Sequence, residues 1–254
     1  MDSQTALGGL PGSLAARQPS TNDNQFRRQH GLIVPNQASG IQFATRPNWD
    51  CGVRFRTPQS QCYNYLIIQI VKKKGSHPMQ IQSFHPDDAL ERLMAGNERY
   101  AACALDHPHQ TTGRRMEVTG GQHPFAIILT CSDSRVPPEI LFDQGIGDLF
   151  VIRTAGNVAD DIVLGSIEYA VEHLDVGLLV VLGHQSCGAV TAAVKDTHAD
   201  GHIARIVDLI RPSVVKAKSL PGDLTSNAIT ANILQTASLL SECEPVLKEF
   251  VHNG

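Results

Sequence analysis

Two short stretches of the sequence carry the residue types with the clearest capacity for chemistry. CSDSR places Cys131, Asp133 and Arg135 directly after the apolar run FAIILT. GHQSCGAV places His184 and Cys187 directly after the apolar run GLLVVL. Two thiolates and an imidazole are a borderline-soft set of ligands, which favours zinc over magnesium, calcium or manganese. Because this set supplies three ligands, one coordination position stays open for water or substrate, as is typical of a catalytic zinc site.

The pair Asp133 and Arg135 indicates how a water at such a site would be oriented by hydrogen bonding. Zinc with two thiolates and a neutral imidazole has no net charge, so it acidifies a bound water less than an all-imidazole site does. A nearby carboxylate is then needed as a hydrogen-bond acceptor, and Asp133 is placed to provide it. Arg135 can hold this carboxylate in a bidentate fork and keep it off the metal. The alternative is a surface ion pair that contributes little.

The elements around these residues must bring two distant stretches together. Three nearly continuous apolar runs lack the alternation of half-exposed strands and predict a parallel sheet covered on both faces. These runs are residues 125–130, 148–152 and 177–182. Apolar residues at intervals of three and four over 159–174 predict the amphipathic crossover helix of a βαβ unit. Ligand groups in such sheets gather beyond the carboxyl ends of the strands, which is where both stretches lie.

The predicted fold class is therefore α/β, a mainly parallel sheet flanked by helices. A proline followed by two aspartates at 86–88 predicts the start of another helix, over about 86–101. Further helices are expected at about 187–195, 202–218 and 225–250, the last broken near Pro245. Cys187 would lie in the first turn of its helix, whose positive end favours a thiolate. Taken alone, His184 and Cys187 would more often be an ordinary buried pair; the CxDxR stretch favours the ligand interpretation.

The composition of the chain limits the kinds of molecule that it could bind. The chain has 254 residues, 42% of them hydrophobic, and a formal net charge of -4, so it lacks the basic excess that nucleic acid or an anionic membrane surface would attract. Six irregularly spaced cysteines in a chain of this length predict no disulfide framework and a reducing, cytoplasmic location. The apolar stretch YLIIQIV at 65–71 is too short to span a bilayer.

Residues 1–83 differ from the rest of the chain because Gly, Pro, Gln, Asn and Ser recur without apolar periodicity. We expect a poorly ordered N-terminal extension of unknown role, for which an organellar targeting role is one alternative. Residues 65–71 could instead form a strand or a docking element. Residues 84–254 are expected to form the zinc-dependent domain.

Four motifs in order resemble the β-class carbonic anhydrases of the bacterial type: CSDSRVPPE, FDQGIGDLFVIRTAGN, GSIEYAVEHL and GHQSCGAV. The resemblance covers about residues 84–250. It implies one Zn²⁺ per chain, held by Cys131, His184 and Cys187. It also implies reversible hydration of carbon dioxide to bicarbonate and a proton through a zinc-bound hydroxide that Asp133 and Arg135 assist.

The same resemblance implies further features. Gln144, within FDQG, would donate a hydrogen bond to a substrate oxygen, and Asp133 would become the fourth zinc ligand in a closed form of the site. Members of the family are homodimers or homotetramers whose N-terminal helix wraps the partner. Relatives continue past the last helix into another strand, whereas this sequence stops at Gly254, so we expect the C-terminal edge strand to be missing.

Other functions remain open at this point. The same scaffold could hydrolyse carbonyl sulfide or carbon disulfide. A non-catalytic zinc-binding protein would keep the ligands without turnover. A thiol enzyme of the phosphatase kind would need an arginine about six positions after Cys131, but residue 137 is a proline.

Overall fold

The computed structural model describes residues 84–195 and 199–252 together with three short strands earlier in the chain. These strands are β1 (Val53–Phe55), β2 (Tyr65–Ile67) and β3 (Gln69–Val71). All of these residues belong to one compact unit, Ser39–Gly254. The expectation of a poorly ordered extension over 1–83 otherwise falls outside the described residues.

The core of the fold is a four-stranded sheet in the order β3–β6–β4–β5. Its other strands are β4 (Ala126–Cys131), β5 (Leu149–Thr154) and β6 (Leu178–Leu182). β4 lies between β5 and β6 and runs parallel to both of them. The predicted parallel arrangement of the three apolar runs is therefore confirmed.

Burial explains why two of the three runs are continuously apolar. Every residue of β4 and β6 is buried, because helices cover both faces of the centre of the sheet. β5 lies at the edge, and five of its six residues are only partly buried while Arg153 is exposed. The two fully buried strands are therefore the ones that end in the candidate ligands.

Helices flank the sheet at most of the predicted positions. They are α1 (Pro86–Ala101), α2 (Thr112–Glu117), α3 (Pro138–Leu141), α4 (Asp161–His173), α5 (Gly188–Val194), α6 (His202–Ala217), α7 (Leu224–Glu242) and α8 (Val246–His252). Side-chain caps fix several helix starts: Asp160 accepts a hydrogen bond from Val163 N–H, and Asp223 accepts one from Ser226 N–H. Among the described residues, no helix combines the length and apolarity that a membrane crossing requires.

The sheet gains its fourth strand from the N-terminal part of the chain. β3 pairs antiparallel with β6, with Ile70 opposite Leu179, so β6 is an interior strand. Residues 65–71 thus supply strands, which was one of the two alternatives for this stretch. The last described element is α8, and the expected boundary at residue 83 and the missing C-terminal strand stay predictions.

Candidate metal centre

The structure brings Cys131, His184 and Cys187 together at the carboxyl edge of the sheet. Their ligand atoms all lie within 4.8 Å of one another, and all three residues are buried. Cys131 is the last residue of β4, while His184 and Cys187 follow β6, its parallel neighbour. Cys187 is the N-cap of α5 and not part of its first turn, so the prediction for its place in the helix was wrong by one residue.

The ring of His184 is oriented so that one nitrogen faces the cluster without a hydrogen-bond partner. Its Nδ1 lies 2.9 Å from the carbonyl oxygen of Gln185, an acceptor, so Nδ1 carries the proton and Nε2 carries the lone pair. Nε2 is buried and makes no hydrogen bond. A buried lone pair of this kind is costly unless an electron-pair acceptor binds it. A metal-ligating histidine that hydrogen-bonds a backbone carbonyl through its other nitrogen has this arrangement.

The two thiols form a coupled pair with Sγ atoms 3.9 Å apart. A hydrogen bond from Cys187 lowers the pKa of Cys131 to about 4, against the opposing effect of burial. The same bond, together with burial, raises the pKa of Cys187 far above its usual value, although the N–H groups of Ala189 and Val190 act in the opposite direction. Two buried thiolates this close together would repel each other unless a positive charge neutralised them. A divalent cation would do so, and the residues present therefore fit a zinc ion.

Asp133 and Arg135 form the expected bidentate pair beside this cluster. Arg135 donates from Nε to Oδ1 at 2.8 Å and from Nη2 to Oδ2 at 2.7 Å, and its backbone N–H also bonds Oδ1. These bonds, led by those of the guanidinium, hold the pKa of the Asp133 carboxyl well below its usual range. Asp133 Oδ2 lies 3.8 Å from His184 Nε2, which places the carboxylate next to the orphaned lone pair. The proximity to His184 favours a functional pair over an incidental surface ion pair.

Two neighbours of the site were not predicted from the sequence. Arg153 of β5 donates to the backbone carbonyls of Cys131 at 3.1 Å and Asp133 at 2.6 Å, and so holds the loop between them. Gly156, in the 3₁₀ turn after β5, donates its N–H to Cys131 Sγ at 3.3 Å. Both lie within the motif FVIRTAGN, but residue type alone does not reveal bonds to backbone carbonyls or to a sulfur 25 residues earlier in the chain.

The structure does not join Gln144 to this cluster. Its Nε2 donates to the carbonyl of Phe142 at 2.8 Å, and its Oε1 accepts from Nε of Arg92 at 3.0 Å. Gln144 precedes the amino end of β5, whereas the cluster lies at the carboxyl ends of β4 and β6. Within one chain, its hydrogen bonds therefore serve the contact between α1 and the loop before β5.

An α/β sheet whose parallel strands end in two thiols and an imidazole, with a carboxylate held beside them, forms a candidate site for a single divalent cation. The carbonic anhydrase family model matches residues 126–254 of this chain. The chain belongs to the carbonic anhydrase family. The predictions of family, of an α/β fold and of an enzyme are confirmed.

Several known proteins are similar to this chain. Carbonic anhydrase 2 of Mycobacterium tuberculosis is 50% identical over 174 residues, which cover 67% of this chain and 84% of the relative. A carbonic anhydrase of Mycolicibacterium smegmatis is 49% identical over 135 residues, covering 52% and 66% respectively. Among solved structures, the β-carbonic anhydrase CcaA is 28% identical with a TM-score of 0.48, over 63% of this chain and 82% of that one.

Proposed function

We propose that this protein catalyses the reversible hydration of carbon dioxide to bicarbonate and a proton, with one zinc ion per chain bound by Cys131, His184 and Cys187. The observation that carries the proposal is the buried lone pair of His184 Nε2, which faces two coupled thiols and has no hydrogen-bond partner. The membership of the family supports the reaction. Zinc bound there would supply the Lewis acidity that makes a water nucleophilic near neutral pH.

The residues around the cluster would prepare that water for attack on carbon. Asp133 is close enough to His184 Nε2 to accept a hydrogen bond from a water at the cluster, which orients the water's lone pair toward the substrate. Arg135 engages both carboxylate oxygens and so opposes rotation of Asp133 onto the ligand atoms, the movement that a closed form of the site would require. Arg153 fixes the backbone on either side of Ser132 and so sets the distance between Cys131 and Asp133.

Gln144 would donate a hydrogen bond to a substrate oxygen. One of its two amide hydrogens is donated to Phe142, which leaves the other for a substrate oxygen. The residue is buried in its own chain, and its placement before β5 separates it from the cluster of the same chain. Substitution of Gln144 therefore tests whether this residue binds substrate.

We also propose that the functional unit is a homo-oligomer. Within the part of the chain that the structure describes, no strand pairs with the outer edge of β5. Several apolar side chains on and beside that edge are only partly covered, including Phe150 and Tyr169. An apolar unpaired edge of this kind usually pairs with a second copy or is otherwise protected. The cytoplasmic location stays a prediction.

The experiment that tests the function is stopped-flow carbon dioxide hydration by the purified full chain, together with measurement of its zinc content. We expect one zinc per chain and rapid turnover. Cys187→Ala should lose both zinc and turnover, because the two remaining ligands bind zinc weakly. The matched control is Cys103→Ala, since Cys103 is an exposed free cysteine outside the cluster. Full zinc content without hydration, or turnover of carbonyl sulfide alone, would contradict the proposal.

A further inference from the structure

The turn that follows β5 contacts the candidate metal centre through its backbone. Gly156 and Asn157 are consecutive residues with positive φ angles of 74° and 46°. This conformation directs Gly156 N–H to Cys131 Sγ. A left-handed backbone is unfavourable for asparagine, although less so than for most residues, and persists where the surroundings fix it. The turn therefore requires support from elsewhere in the fold.

That support comes from α7, which begins nearly 70 residues later in the sequence. Asn232 Nδ2 donates to the carbonyl of Gly156 at 2.7 Å, and Thr236 Oγ1 donates to the carbonyl of Asn157 at 3.3 Å. Both side chains are buried and lie one helical turn apart on the same face of α7. Two hydrogen bonds from a rigid element thus hold successive carbonyls of the turn.

The same helix also contacts the backbone beside the histidine ligand. A methyl group on Gly183 would lie 2.4 Å from Cδ1 of Ile233, so this side chain packs directly against the residue that precedes His184. Asn232, Ile233 and Thr236 therefore touch the chain at two places, the turn that bonds the Cys131 sulfur and the residue that precedes His184.

We infer that Asn232 and Thr236 are positioning residues of the metal centre. They hold the Gly156 turn so that its N–H donates to the Cys131 thiolate, which fixes the direction of the sulfur and reduces its negative charge. This inference rests on the proposed function, because it requires that Cys131 binds a metal. Residues that orient metal ligands from outside the coordination sphere typically change metal affinity or activity about 10–100-fold when they are replaced.

Near-isosteric substitutions remove each donor with little change in packing. Asn232→Leu and Thr236→Val eliminate the two hydrogen bonds, whereas Thr236→Ser keeps the hydroxyl and should retain the parent behaviour. Thr230→Val is the matched control, because Thr230 lies on the same helix and its hydroxyl bonds only the Ser226 carbonyl of that helix. The parent and the four variants would each be prepared with zinc and with cobalt(II).

Two measurements distinguish positioning from general stability. The first is the rate of zinc transfer to a chelator, and the second is the sulfur-to-cobalt charge-transfer absorption, which reports the geometry of the metal–thiolate bonds. We expect transfer to accelerate about 10-fold or more in Asn232→Leu and less in Thr236→Val, whose bond is longer, with an altered cobalt band in both. Thr236→Ser and Thr230→Val should match the parent.

Parent-like transfer rates and cobalt spectra in Asn232→Leu and Thr236→Val would overturn the inference while leaving the proposed function intact. If Asn232→Leu fails to fold, Thr236→Val decides the matter against the parent and Thr236→Ser, because valine keeps the volume of threonine without its hydroxyl, whereas serine keeps the hydroxyl without the methyl group. A parent protein that binds neither zinc nor cobalt would overturn the proposed function, and this inference with it.

Discussion

Three of the chemically active side chains at the centre are each held by an additional hydrogen bond. The His184 ring is fixed through Nδ1 by the Gln185 carbonyl, the Cys131 sulfur by the Gly156 N–H and the Asp133 carboxylate by Arg135. Such outer contacts limit rotation and so orient the groups that would face a metal or a water. The site depends on backbone groups of neighbouring turns as much as on its ligands.

Replacement of Asp133 by asparagine should separate metal binding from turnover. The substitution keeps the shape of the side chain but weakens its ability to accept a hydrogen bond, and it removes the charge that pairs with Arg135. We expect full zinc content and a loss of about 100-fold or more in kcat/KM, the usual size of an acid-base contribution. Asp208→Asn is the control, since Asp208 forms an exposed ion pair with Arg211 on α6. Equal losses in both variants, or loss of zinc from Asp133→Asn, would contradict the assigned role.

Asp143 provides a prediction about stability and pH. It is buried and accepts hydrogen bonds from the backbone N–H groups of Asp106 and His107 and from Arg99. Burial alone would raise the pKa of its carboxyl, but the bonds from these backbone and guanidinium donors outweigh it, so the pKa is lowered. A lowered pKa in the folded state means that the carboxylate stabilises the fold above its unfolded pKa of about 4, and that this stabilisation is lost as the pH falls through the folded value.

Asp143→Asn should therefore reduce the free energy of unfolding by about 1–3 kcal/mol at neutral pH, since it weakens acceptors for buried donors. The difference from the parent should shrink as the pH is lowered below about 4. Urea denaturation across a pH series measures both quantities. A difference that stays constant or grows on acidification would show that the Asp143 charge is not the source of the effect.

At the level of elements, the apolar runs and helical periodicity predicted most of the fold. Buried parallel strands and amphipathic helices follow from local patterns, and the observed bounds differ from the predicted ones by one or two residues at most ends. The antiparallel strand β3 could only be offered as an alternative, because three residues without alternation do not distinguish a strand from a loop. The short helices α2 and α3 were not predicted, since four to six residues are too few for a helical period to show.

Helix α1 packs so closely on the loop after α3 that one glycine is required. A methyl group on Gly96 would lie 1.7 Å from the carbonyl oxygen of Phe142, which is backbone and cannot rotate away. Gly96→Ala should therefore destabilise the protein by about 1–3 kcal/mol or more. Gly113→Ala in α2 is the matched control, because the nearest atom to its added methyl group is Thr111 Oγ1 at 3.7 Å, an ordinary contact, and there alanine should stabilise the helix by about 0.5–1 kcal/mol. In thermal unfolding, Gly96→Ala should therefore have a lower unfolding temperature than the parent and the control variant a higher one.

For the molecule as a whole, the sequence predicted where the candidate metal centre lies, but it did not predict the contacts from α7 that hold the turn beside it. Ligands at the ends of adjacent parallel strands must converge, so the grouping of Cys131, His184 and Cys187 follows from topology. The contacts of Asn232 and Thr236 with the Gly156 turn join segments nearly 80 residues apart through backbone carbonyls. Nothing in the pattern of α7 distinguishes these two polar residues from others on a long helix, so only the folded chain identifies them.

We expect copies of the chain to associate through the outer edge of β5. On the adjoining helix α4, Ile162 is 78% exposed and Tyr169 is 49% exposed, and the ring of Tyr169 lies 6.5 Å from that of Phe150 on the strand. Such an apolar surface beside an unpaired strand should be covered by a second copy. The double variant Ile162→Glu/Tyr169→Glu should therefore have a smaller mass than the parent in sedimentation and light-scattering measurements, because burial of two carboxylates opposes association. Val215→Glu controls for added charge, since Val215 is similarly exposed but lies on α6. A parent that is monomeric at every concentration, or a double variant that retains the parent's mass, would place the contact elsewhere.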